Sequence, residues 1–329
     1  MRAALLRWYD RGKRDLPWRR TRDPYAIWVS ETMLQQTQVA TVLPYYHRFM
    51  EAFPSVEALD RASLDAVRSV WSGLGYYRRA ANLKQAARLL VSRHGGRLPA
   101  DYRALLGLPG IGRYTAGAVM SIAFEQPYAA PDGNLRRVYA RLLGLTDSKA
   151  IDQAAERMVS RSRPGDFNQA VMELGATLCL PGLPLCDRCP VAHWCRARAS
   201  GAFDVPRRPP VRTRAVQWPL VLVESLSRVL LHRRPDDGLL AGLWELPTPE
   251  ELPARLRGTL RRAESVAVIR HAITDMRITA PVYVLRRQVP MKGSAWRWVD
   301  LADLHTHPLS SLSTKAVRAV RHHLPVTRD

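Results

Sequence analysis

The sequence predicts a larger, mainly α-helical domain followed by a smaller α+β domain. The length of 329 residues suits two domains, and the apolar content of 47% is enough for packed cores. Apolar residues recur at helical spacing through residues 1–200, whereas short β-branched segments dominate after residue 215. This change of pattern along the chain is what divides it.

The first 200 residues contain amphipathic segments separated by glycine or proline. The segment AIWVSETMLQQTQVATVLPYYHRFMEAF predicts helix broken at Pro44, because proline lacks an amide donor. Further helices are predicted by SLDAVRSVWSGLG, RRAANLKQAARLLVSRHGG, YRALLGL, RYTAGAVMSIAF, NLRRVYARLLGL, DQAAERMVSRS and DFNQAVMELGATLC. No strand-like alternation persists here, so this part is predicted to be all-helical.

Residues 201–215, GAFDVPRRPPVRTRA, are rich in proline and arginine and predict an extended surface linker. After it, QWPLVLVE, SRVLLHRR, ESVAVIRHAIT, MRITAPVYVLRRQV and AWRWVDL predict strands, and TKAVRAVRHHL predicts a closing helix. We therefore expect domains at 1–200 and 216–329, joined by a linker at 201–215.

The charge balance points to a polyanionic partner. The chain has 50 Lys and Arg against 29 Asp and Glu, a formal net charge of +21. Nucleic acid is the simplest partner for such an excess, and a solvated surface in an arginine-rich genome is the alternative. No apolar segment approaches the roughly 20 residues of a membrane span, and the apolar part of the N-terminus is too short for a signal peptide. We expect a cytoplasmic protein that does not contact membranes.

The stretch LPGIGRYTAG, residues 108–117, predicts a helix–hairpin–helix turn. Gly110 and Gly112 permit the sharp turn that begins after Leu108. Amides at the start of the second helix, together with Arg113, can bind a DNA phosphate without sequence preference. An ordinary turn between two helices is the alternative.

All four cysteines lie within one short segment. Their spacing is C-x6-C-x2-C-x5-C, which lets one loop wrap its thiolates around a single centre: Cys179, Cys186, Cys189 and Cys195. Clustered cysteines in an intracellular chain favour a metal over disulfides. The spacing leaves a zinc ion and an iron–sulfur cluster both open.

Two carboxylates stand in unusual contexts. Asp132 precedes a predicted helix in PDGNLRRV, so it is either an N-cap or a functional group facing a substrate. Glu31 lies among apolar residues in VSETMLQQTQV. It is either a helix-start glutamate or a general acid with a raised pKa.

The combination of LPGIGRYTAGAV and PDGNLRRV resembles the helix–hairpin–helix DNA glycosylase superfamily, and VSETMLQQTQV resembles its MutY-type adenine glycosylases. The resemblance implies a helical glycosylase domain of two lobes with an iron–sulfur loop, followed by a smaller α+β Nudix-like domain. It implies base flipping and cleavage of a glycosidic bond. Endonuclease III-like relatives carry a lysine where this chain has Tyr114. A tyrosine cannot form a Schiff base, so we expect a monofunctional enzyme without strong lyase activity.

The resemblance also implies residue roles. Glu31 would protonate adenine at N7, and ionised Asp132 would stabilise the oxocarbenium ion, their pKa values being pushed apart. Tyr114 and Asn134 would hold these groups by hydrogen bonds. The segment RDLPWR would line the adenine pocket with Arg14, Leu16, Trp18 and Arg19, although Trp18 could equally anchor the N-terminal helix.

Two further residues resemble those that wedge into the duplex beside the orphaned base, namely Gln36 and Tyr76. A core aromatic is the alternative for Tyr76. The resemblance implies that the four cysteines hold one [4Fe–4S] cluster. We expect a monomer, associated with the nucleoid, whose partner is double-stranded DNA with A:8-oxoguanine or A:G mispairs.

In the C-terminal half, GLLAGLWELP resembles the MutT-like domain of the same enzymes. The following TPEELPARLRGTLRRAE lacks the acidic cluster that holds Mg²⁺ in Nudix hydrolases, so we expect recognition of 8-oxoguanine rather than hydrolysis. The family's Phe-Ser-His-type loop is replaced here by Ile273, Thr274 and Asp275. Thr274 keeps a hydroxyl, Asp275 would be unfavourable near phosphate, and a register shift could bring His271 into use.

Two rival functions remain open at this point. One is a thymine or uracil mismatch glycosylase on the same scaffold, because Tyr114 also occurs in such enzymes. The other is a lesion-binding protein without catalytic activity, although Glu31 and Asp132 are both present.

Overall fold

A computed structural model describes residues 1–203, 212–260, 263–291 and 293–323. Within these residues the chain divides into two compact units, one formed by 1–61 and 82–203 and the other by 62–81 and 212–323. Most of the predicted linker, residues 204–211, lies outside the described part. None of the described helices is both long and apolar enough to span a membrane.

Residues 1–203 are helical, as predicted. The helices are α1 (Arg2–Gly12), α2 (Pro24–Leu34), α3 (Val39–Ala52), α4 (Val56–Arg61), α5 (Leu64–Trp71), α6 (Arg78–His94), α7 (Tyr102–Leu106), α8 (Arg113–Ile122), α9 (Gly133–Leu143), α10 (Ser148–Met158), α11 (Pro164–Thr177) and α12 (Arg196–Ser200). All belong to the first unit except α5 and the first residues of α6, which belong to the second.

Helix α2 runs through the core of the first unit and is buried from residue 25 to residue 33. Asp23 starts it by accepting hydrogen bonds from two backbone amides, and Pro24 occupies its first position, where no amide bond is lost. It packs against α3 and α8. This burial on all sides agrees with its largely apolar sequence and includes the carboxyl of Glu31.

The predicted break at Pro44 is wrong. Pro44 lies inside α3, and the chain breaks instead at residues 35–38, where Gln36 has a φ of 58°. Proline removes one hydrogen bond, and tertiary packing can outweigh that loss, whereas a left-handed residue cannot continue a helix.

A second core of the first unit joins α1, α9, α10 and α11. Fully buried side chains at this core include Tyr9, Leu135, Phe167 and Leu174. Helix α9 begins at the N-cap Asp132 and ends where Gly144 turns left-handed at φ 65°. This core therefore fixes where the N-terminus of α9, and with it Asp132, lies.

The second unit contains a mixed sheet, as the predicted α+β class requires. Its strands and helices are β1 (Arg214–Gln217), β2 (Leu220–Ser225), β3 (Arg228–Arg233), β4 (Trp244–Glu245), α13 (Ala254–Leu260), β5 (Ala267–Ile273), β6 (Met276–Arg286), β7 (Trp296–Asp300) and α14 (Ser311–Ala319). Strands β1 and β2 pair parallel with successive parts of β6, while β5 pairs antiparallel with β6. Strand β3 pairs antiparallel with β2, β4 and β7.

Candidate active site

A cleft of about 1140 Å³ opens in the first unit and gathers most of the predicted site residues. Its lining includes the candidate catalytic groups and the predicted pocket residues: Glu31, Tyr114, Asp132, Asn134, Arg14, Leu16, Trp18 and Arg19. Gln36 and two glycines of the hairpin, Gly110 and Gly112, also line it. Residues far apart in sequence thus meet at one concave site, which is the usual setting for a small flipped group.

Glu31 lies near the end of α2 and is only 4% exposed. The hydroxyl of Tyr114, on the first turn of α8, donates a hydrogen bond to its Oε2. Burial raises the pKa of Glu31 to about 7; the Tyr114 hydrogen bond opposes this rise, and the Asp132 charge adds to it. At neutral pH this carboxyl can therefore carry a proton and give it up.

Asp132 caps α9. Its Oδ1 accepts from the backbone amide of Leu135 at 2.6 Å, and its Oδ2 accepts from the side-chain amide of Asn134 at 3.0 Å. Burial raises the pKa of Asp132, although these hydrogen bonds and the Arg137 charge oppose the rise. The N-cap and functional readings are compatible, since the cap itself lies in the cleft.

The expectation that the two carboxyl pKa values are pushed apart stays a prediction. Burial raises the pKa of both groups, because both lie in the same partly enclosed cleft. What differs is their set of partners. Asp132 accepts from a helix N-terminus and an amide, which favour the charged form, whereas Glu31 is bonded to one phenol.

Asn134 is held in turn by Arg137. Arg137 Nη2 donates to Asn134 Oδ1 at 2.9 Å and to the Gly175 carbonyl at 2.6 Å, and its Nε donates to the Cys179 carbonyl at 2.8 Å. One side chain therefore ties the amide beside Asp132 to the start of the cysteine loop. No sequence motif marks Arg137, because it is an arginine within a predicted amphipathic helix.

The cleft wall near α1 and α11 is built around a buried glutamate that the sequence analysis missed. Glu173 is 1% exposed and binds Arg14 through Nε and Nη2 at 2.7 and 2.8 Å, and Arg19 through Nη2 at 2.8 Å. Burial alone would raise the pKa of Glu173, but the two guanidinium groups overcome it and lower the pKa to about 2. Leu16 and Trp18 are both 4% exposed, and Trp18 packs edge-on against Tyr46.

The predicted helix–hairpin–helix is formed by α7, the turn at 107–112 and α8. Gly110 has a φ of 77°, and a Cβ there would lie 2.7 Å from Asn82 Cβ, so glycine is required at this position. Gly112 caps α8 in open space. Leu108 is buried and anchors the turn, so its side chain does not face solvent. Arg113 is 60% exposed and lies 3.6 Å from Asp152.

The four cysteines line one apolar cavity of about 30 Å³. Buried Arg141, on α9, donates to the carbonyls of Leu180 and Gly182 and to the Cys179 sulfur at 3.5 Å, and so organises the loop. Burial raises the pKa of the Cys189 thiol to about 11. Among the described residues, no three His, Cys, Asp or Glu side chains are arranged around a single metal-ion position.

The two predicted wedge residues belong to different units. Gln36, in the first unit, is exposed in the α2–α3 turn. Tyr76, in the second, is 50% exposed and has a φ of 49°. The exposure of Tyr76 excludes the alternative of a core aromatic.

The replaced loop in the second unit is the two-residue turn between β5 and β6. Thr274 is exposed with a φ of 51°, and its hydroxyl donates to Asp275 Oδ1 at 3.0 Å. That hydrogen bond and Arg214, 3.2 Å from the carboxylate, lower the pKa of Asp275. Arg214 thus offsets the unfavourable anion. His271 lies back along β5, opposite Ile278 and 3.2 Å from the Lys315 amine.

Comparison with known proteins bears on this geometry. Residues 29–164 match the HhH-GPD superfamily of base excision DNA repair proteins, and residues 219–319 match the NUDIX domain. The human adenine DNA glycosylase is 37% identical and covers 99% of this chain and 75% of its own length. The chain belongs to the adenine DNA glycosylase (MutY-type) family.

Other relatives agree with this assignment. The adenine DNA glycosylase of Buchnera aphidicola (strain Bp) is 39% identical over 74% of this chain and 72% of its own length. Among solved structures, a thermostable thymine-DNA glycosylase matches with a TM-score of 0.57 and 32% identity, covering 60% of this chain and 95% of that one. A non-covalent endonuclease III–DNA complex matches with a TM-score of 0.54 at 23% identity and supports the fold alone.

Proposed function

We propose that this family member is a monofunctional adenine glycosylase that acts on double-stranded DNA and removes adenine paired with 8-oxoguanine or guanine. The observation that carries the proposal is the Glu31–Tyr114 pair beside Asp132 in one cleft. A buried carboxyl with a pKa near 7 is suited to protonate a poor leaving group at physiological pH.

In the proposed reaction the flipped adenine enters the cleft and Glu31 transfers its proton to N7. The bond between C1′ and N9 then breaks, with its electron pair leaving on adenine, and C1′ gains oxocarbenium character. Deprotonated Glu31 next accepts a proton from water as the water oxygen bonds to C1′. The products are free adenine and an abasic site.

Asp132 is proposed to stabilise the cation. Its two oxygens are fixed by Leu135 and Asn134, so the charge is oriented before the reaction and needs no rearrangement. The pair of arginines on Glu173 would meet the outer edge of the base, since Arg19 is partly buried and Arg14 is 40% exposed at the cleft wall. Glu173 is then a positioning residue for the pocket.

The absence of lyase chemistry is proposed from the groups at the cleft. Among the described residues that line it, none is a lysine, and position 114 carries a phenol. Burial and the neighbouring carboxyls raise the pKa of Tyr114 well above its ordinary value, so it stays a hydrogen-bond donor and not a nucleophile. We expect abasic DNA to leave unbroken.

The cysteine loop is proposed to hold one [4Fe–4S] cluster. Four thiols converge on one apolar cavity behind α9, a donor set and setting that fit such a cluster. The cluster would supply structural rigidity to the loop, while Arg137 and Arg141 connect the loop to α9. The preference for 8-oxoguanine is proposed to rest on Thr274, whose hydroxyl is exposed at the β5–β6 turn.

Mismatch thymine excision is the second candidate, because a thermostable thymine-DNA glycosylase is 32% identical over 60% of this chain. It is less well supported, since the human adenine DNA glycosylase matches 99% of this chain at 37% identity. The test is single-turnover cleavage of duplexes with A:8-oxoguanine, A:G or T:G, read before and after hot alkali.

We expect adenine release, a strand break only after alkali, and loss of both in Glu31→Gln. Thymine release with intact adenine would transfer the assignment to the second candidate. Tight mispair binding without release of any base would identify a non-catalytic binder. An ultraviolet–visible spectrum separates the metals, because zinc is colourless and an iron–sulfur cluster is brown.

A further inference from the structure

We infer that the docking of helix α5 on the C-terminal sheet domain fixes the loop that carries Tyr76. This domain then positions Tyr76, the proposed wedge residue, as well as presenting Thr274. The inference rests on the proposed function and extends it to residues 62–81. These residues lie within the predicted glycosylase domain, yet their contacts place them in the second unit.

Several side-chain contacts dock α5. Ser69 Oγ donates to the Thr306 carbonyl at 2.9 Å, and Ser72 Oγ donates to the Leu309 carbonyl at 2.9 Å. Both acceptors follow β7 in the C-terminal half. The two serines lie at the end of α5 nearest Tyr76, so they act where a displacement would reach the loop directly.

Further contacts of α5 involve charged groups. Asp65 accepts from Arg233 of β3 at 3.3 Å, and buried Arg68 reaches the Gly242 carbonyl at 3.4 Å. Gly242 has a φ of 66°, and a Cβ on it would lie 2.2 Å from the Arg68 guanidinium. The glycine therefore leaves the space that Arg68 occupies.

The contact between Arg68 and Gly242 involves a sequence motif that has no role in the proposed reaction. Gly242 belongs to GLLAGLWELP, the segment that resembles the start of a Nudix motif. In this chain the segment receives α5 through Arg68. Next to it, Trp244 exchanges backbone hydrogen bonds with the stretch around Leu309, which holds Ser72. Backbone hydrogen bonds therefore connect the two segments that contact α5.

The end of α5 leads straight into the wedge loop. Trp71, its last residue, donates from Nε1 to the Gly75 carbonyl at 3.0 Å, and Arg79 donates to the same carbonyl at 3.1 Å. The Arg79 guanidinium also stacks 5.3 Å from the centre of the Tyr76 ring. Position 75 is therefore held from both sides just before the exposed tyrosine.

The backbone of the loop needs this support. Tyr76 is left-handed although it is not glycine, a conformation that persists only where the surroundings impose it. A wedge must also resist being pushed aside when it enters a base stack. The local turn alone cannot hold Tyr76 against a base stack. The docking of α5 on a folded sheet supplies that resistance.

The test combines docking variants with Tyr76→Ala. The duplex carries A:G or A:8-oxoguanine with 2-aminopurine next to the guanine, whose fluorescence rises when the wedge unstacks it. Tyr76→Ala should remove this rise and slow adenine release about tenfold, as expected for loss of one stacking contact. The double variant Ser69→Ala/Ser72→Ala should remove more than half of the rise, while Ser92→Ala, which lacks only a local helical bond, should not.

Gly242→Ala provides a second route with a matched control. Gly238 in the same segment is also left-handed, at φ 77°, but a Cβ there meets nothing within 4 Å. Both alanines impose a similar backbone cost, so only Gly242→Ala should reduce the fluorescence rise by displacing Arg68. Thermal unfolding verifies that each variant is folded.

The deciding result is non-additivity. If docking acts through Tyr76, adding Ser69→Ala/Ser72→Ala to Tyr76→Ala should slow adenine release by less than twofold further. Two results would overturn the inference. One is that the rate reductions of Tyr76→Ala and Ser69→Ala/Ser72→Ala multiply when combined, and the other is that the docking variants show the same fluorescence rise as the wild type. If the wild-type chain releases no adenine from either duplex, it is the proposed function that fails.

Discussion

The groups proposed to cut the glycosidic bond and those proposed to read the duplex occupy opposite kinds of backbone. Glu31, Tyr114 and Asn134 lie in regular helices, and Asp132 caps one of them with a φ of −84°. Each is at least partly buried and bonded to another polar group. Chemistry here relies on relaxed backbone and fixed side chains.

The proposed reading residues show the reverse. Gln36, Tyr76 and Thr274 have φ values of 58°, 49° and 51°, and all three are exposed. A non-glycine residue in this region costs roughly 1–2 kcal/mol, so its surroundings must offset the strain. In this molecule burial controls the pKa values of the groups proposed to be catalytic. Backbone strain instead accompanies the side chains proposed to project toward a partner.

The largest expected effect comes from Asp132→Asn. Asparagine keeps the shape and still caps α9, but it removes the charge that is proposed to stabilise the cation at C1′. We expect single-turnover adenine release to fall about a thousandfold, as for loss of a preorganised electrostatic group. Rapid-quench kinetics on A:8-oxoguanine duplexes measure it.

The matched control is Asp147→Asn, which removes the charge from the exposed N-cap of α10. Both substitutions leave a capping side chain at the helix start, while only Asp132→Asn should slow release. Equal rates in the two variants would mean that Asp132 is a helix cap and nothing more.

The next effect separates two arginines on one helix. Arg137→Met removes the hydrogen bond that holds the Asn134 side chain. It should slow adenine release by about ten- to a hundredfold, because Asp132, which accepts a hydrogen bond from Asn134, loses its orientation. Arg141→Met removes donors to the carbonyls of the cysteine loop and should chiefly lower iron content. Iron assay and single-turnover rates on both proteins check this. Loss of iron in both variants, with rates that track it, would remove the distinction.

A smaller and graded effect is expected from pH. Since the pKa of Glu31 is raised to about 7, its protonated form declines above that pH, and adenine release should fall up to tenfold per pH unit. The folded state also binds this proton more tightly than the unfolded chain does. The free energy of unfolding should therefore decrease as pH rises from the ordinary carboxyl range to about 7.

Urea titrations at several pH values measure the second effect, with Glu31→Gln as the reference. In that variant the decrease across this window should be smaller, because the titrating group is gone. A wild-type release rate that rises steadily from pH 7 to 9 would argue against a protonated Glu31 as the acid.

The smallest effect tests strain without a partner. Leu226 and Ser227 are also left-handed, at 52° and 60°, in the turn between β2 and β3, and Leu226 is 85% exposed. Leu226→Asn/Ser227→Gly installs the preferred residues for such a turn and should stabilise the protein by about 0.5–1 kcal/mol. Denaturant unfolding measures it, and adenine release should be unchanged. A loss of activity would show that this turn also serves the partner.

Local sequence patterns predicted much of the site. The helical spacing, the LPGIG turn and the cysteine spacing each depend on neighbours along the chain, and the structure forms the corresponding helices, turn and cavity. Glu31, Asp132 and Tyr114 meet in one cleft, as the motifs required. Their roles in catalysis stay predictions.

What the sequence did not reveal depends on distant partners. Glu173 is one glutamate in a helix, and its importance comes from Arg14, 159 positions away. The short elements β4 and α13 have too few residues to show a period. The sequence could not show that the pKa of Asp132 is raised, because burial is a property of the folded cleft.

The placement of residues 62–81 has a consequence for biosynthesis. The described residues of the first unit are translated before the strands that contact α5, and Leu309, the partner of Ser72, is translated later still. The cleft can therefore assemble before the Tyr76 loop is held, because that loop depends on residues up to Leu309. A nascent chain, or one truncated before Leu309, would have the proposed pocket for the base. Its Tyr76 loop would not be held in place to contact the opposite strand.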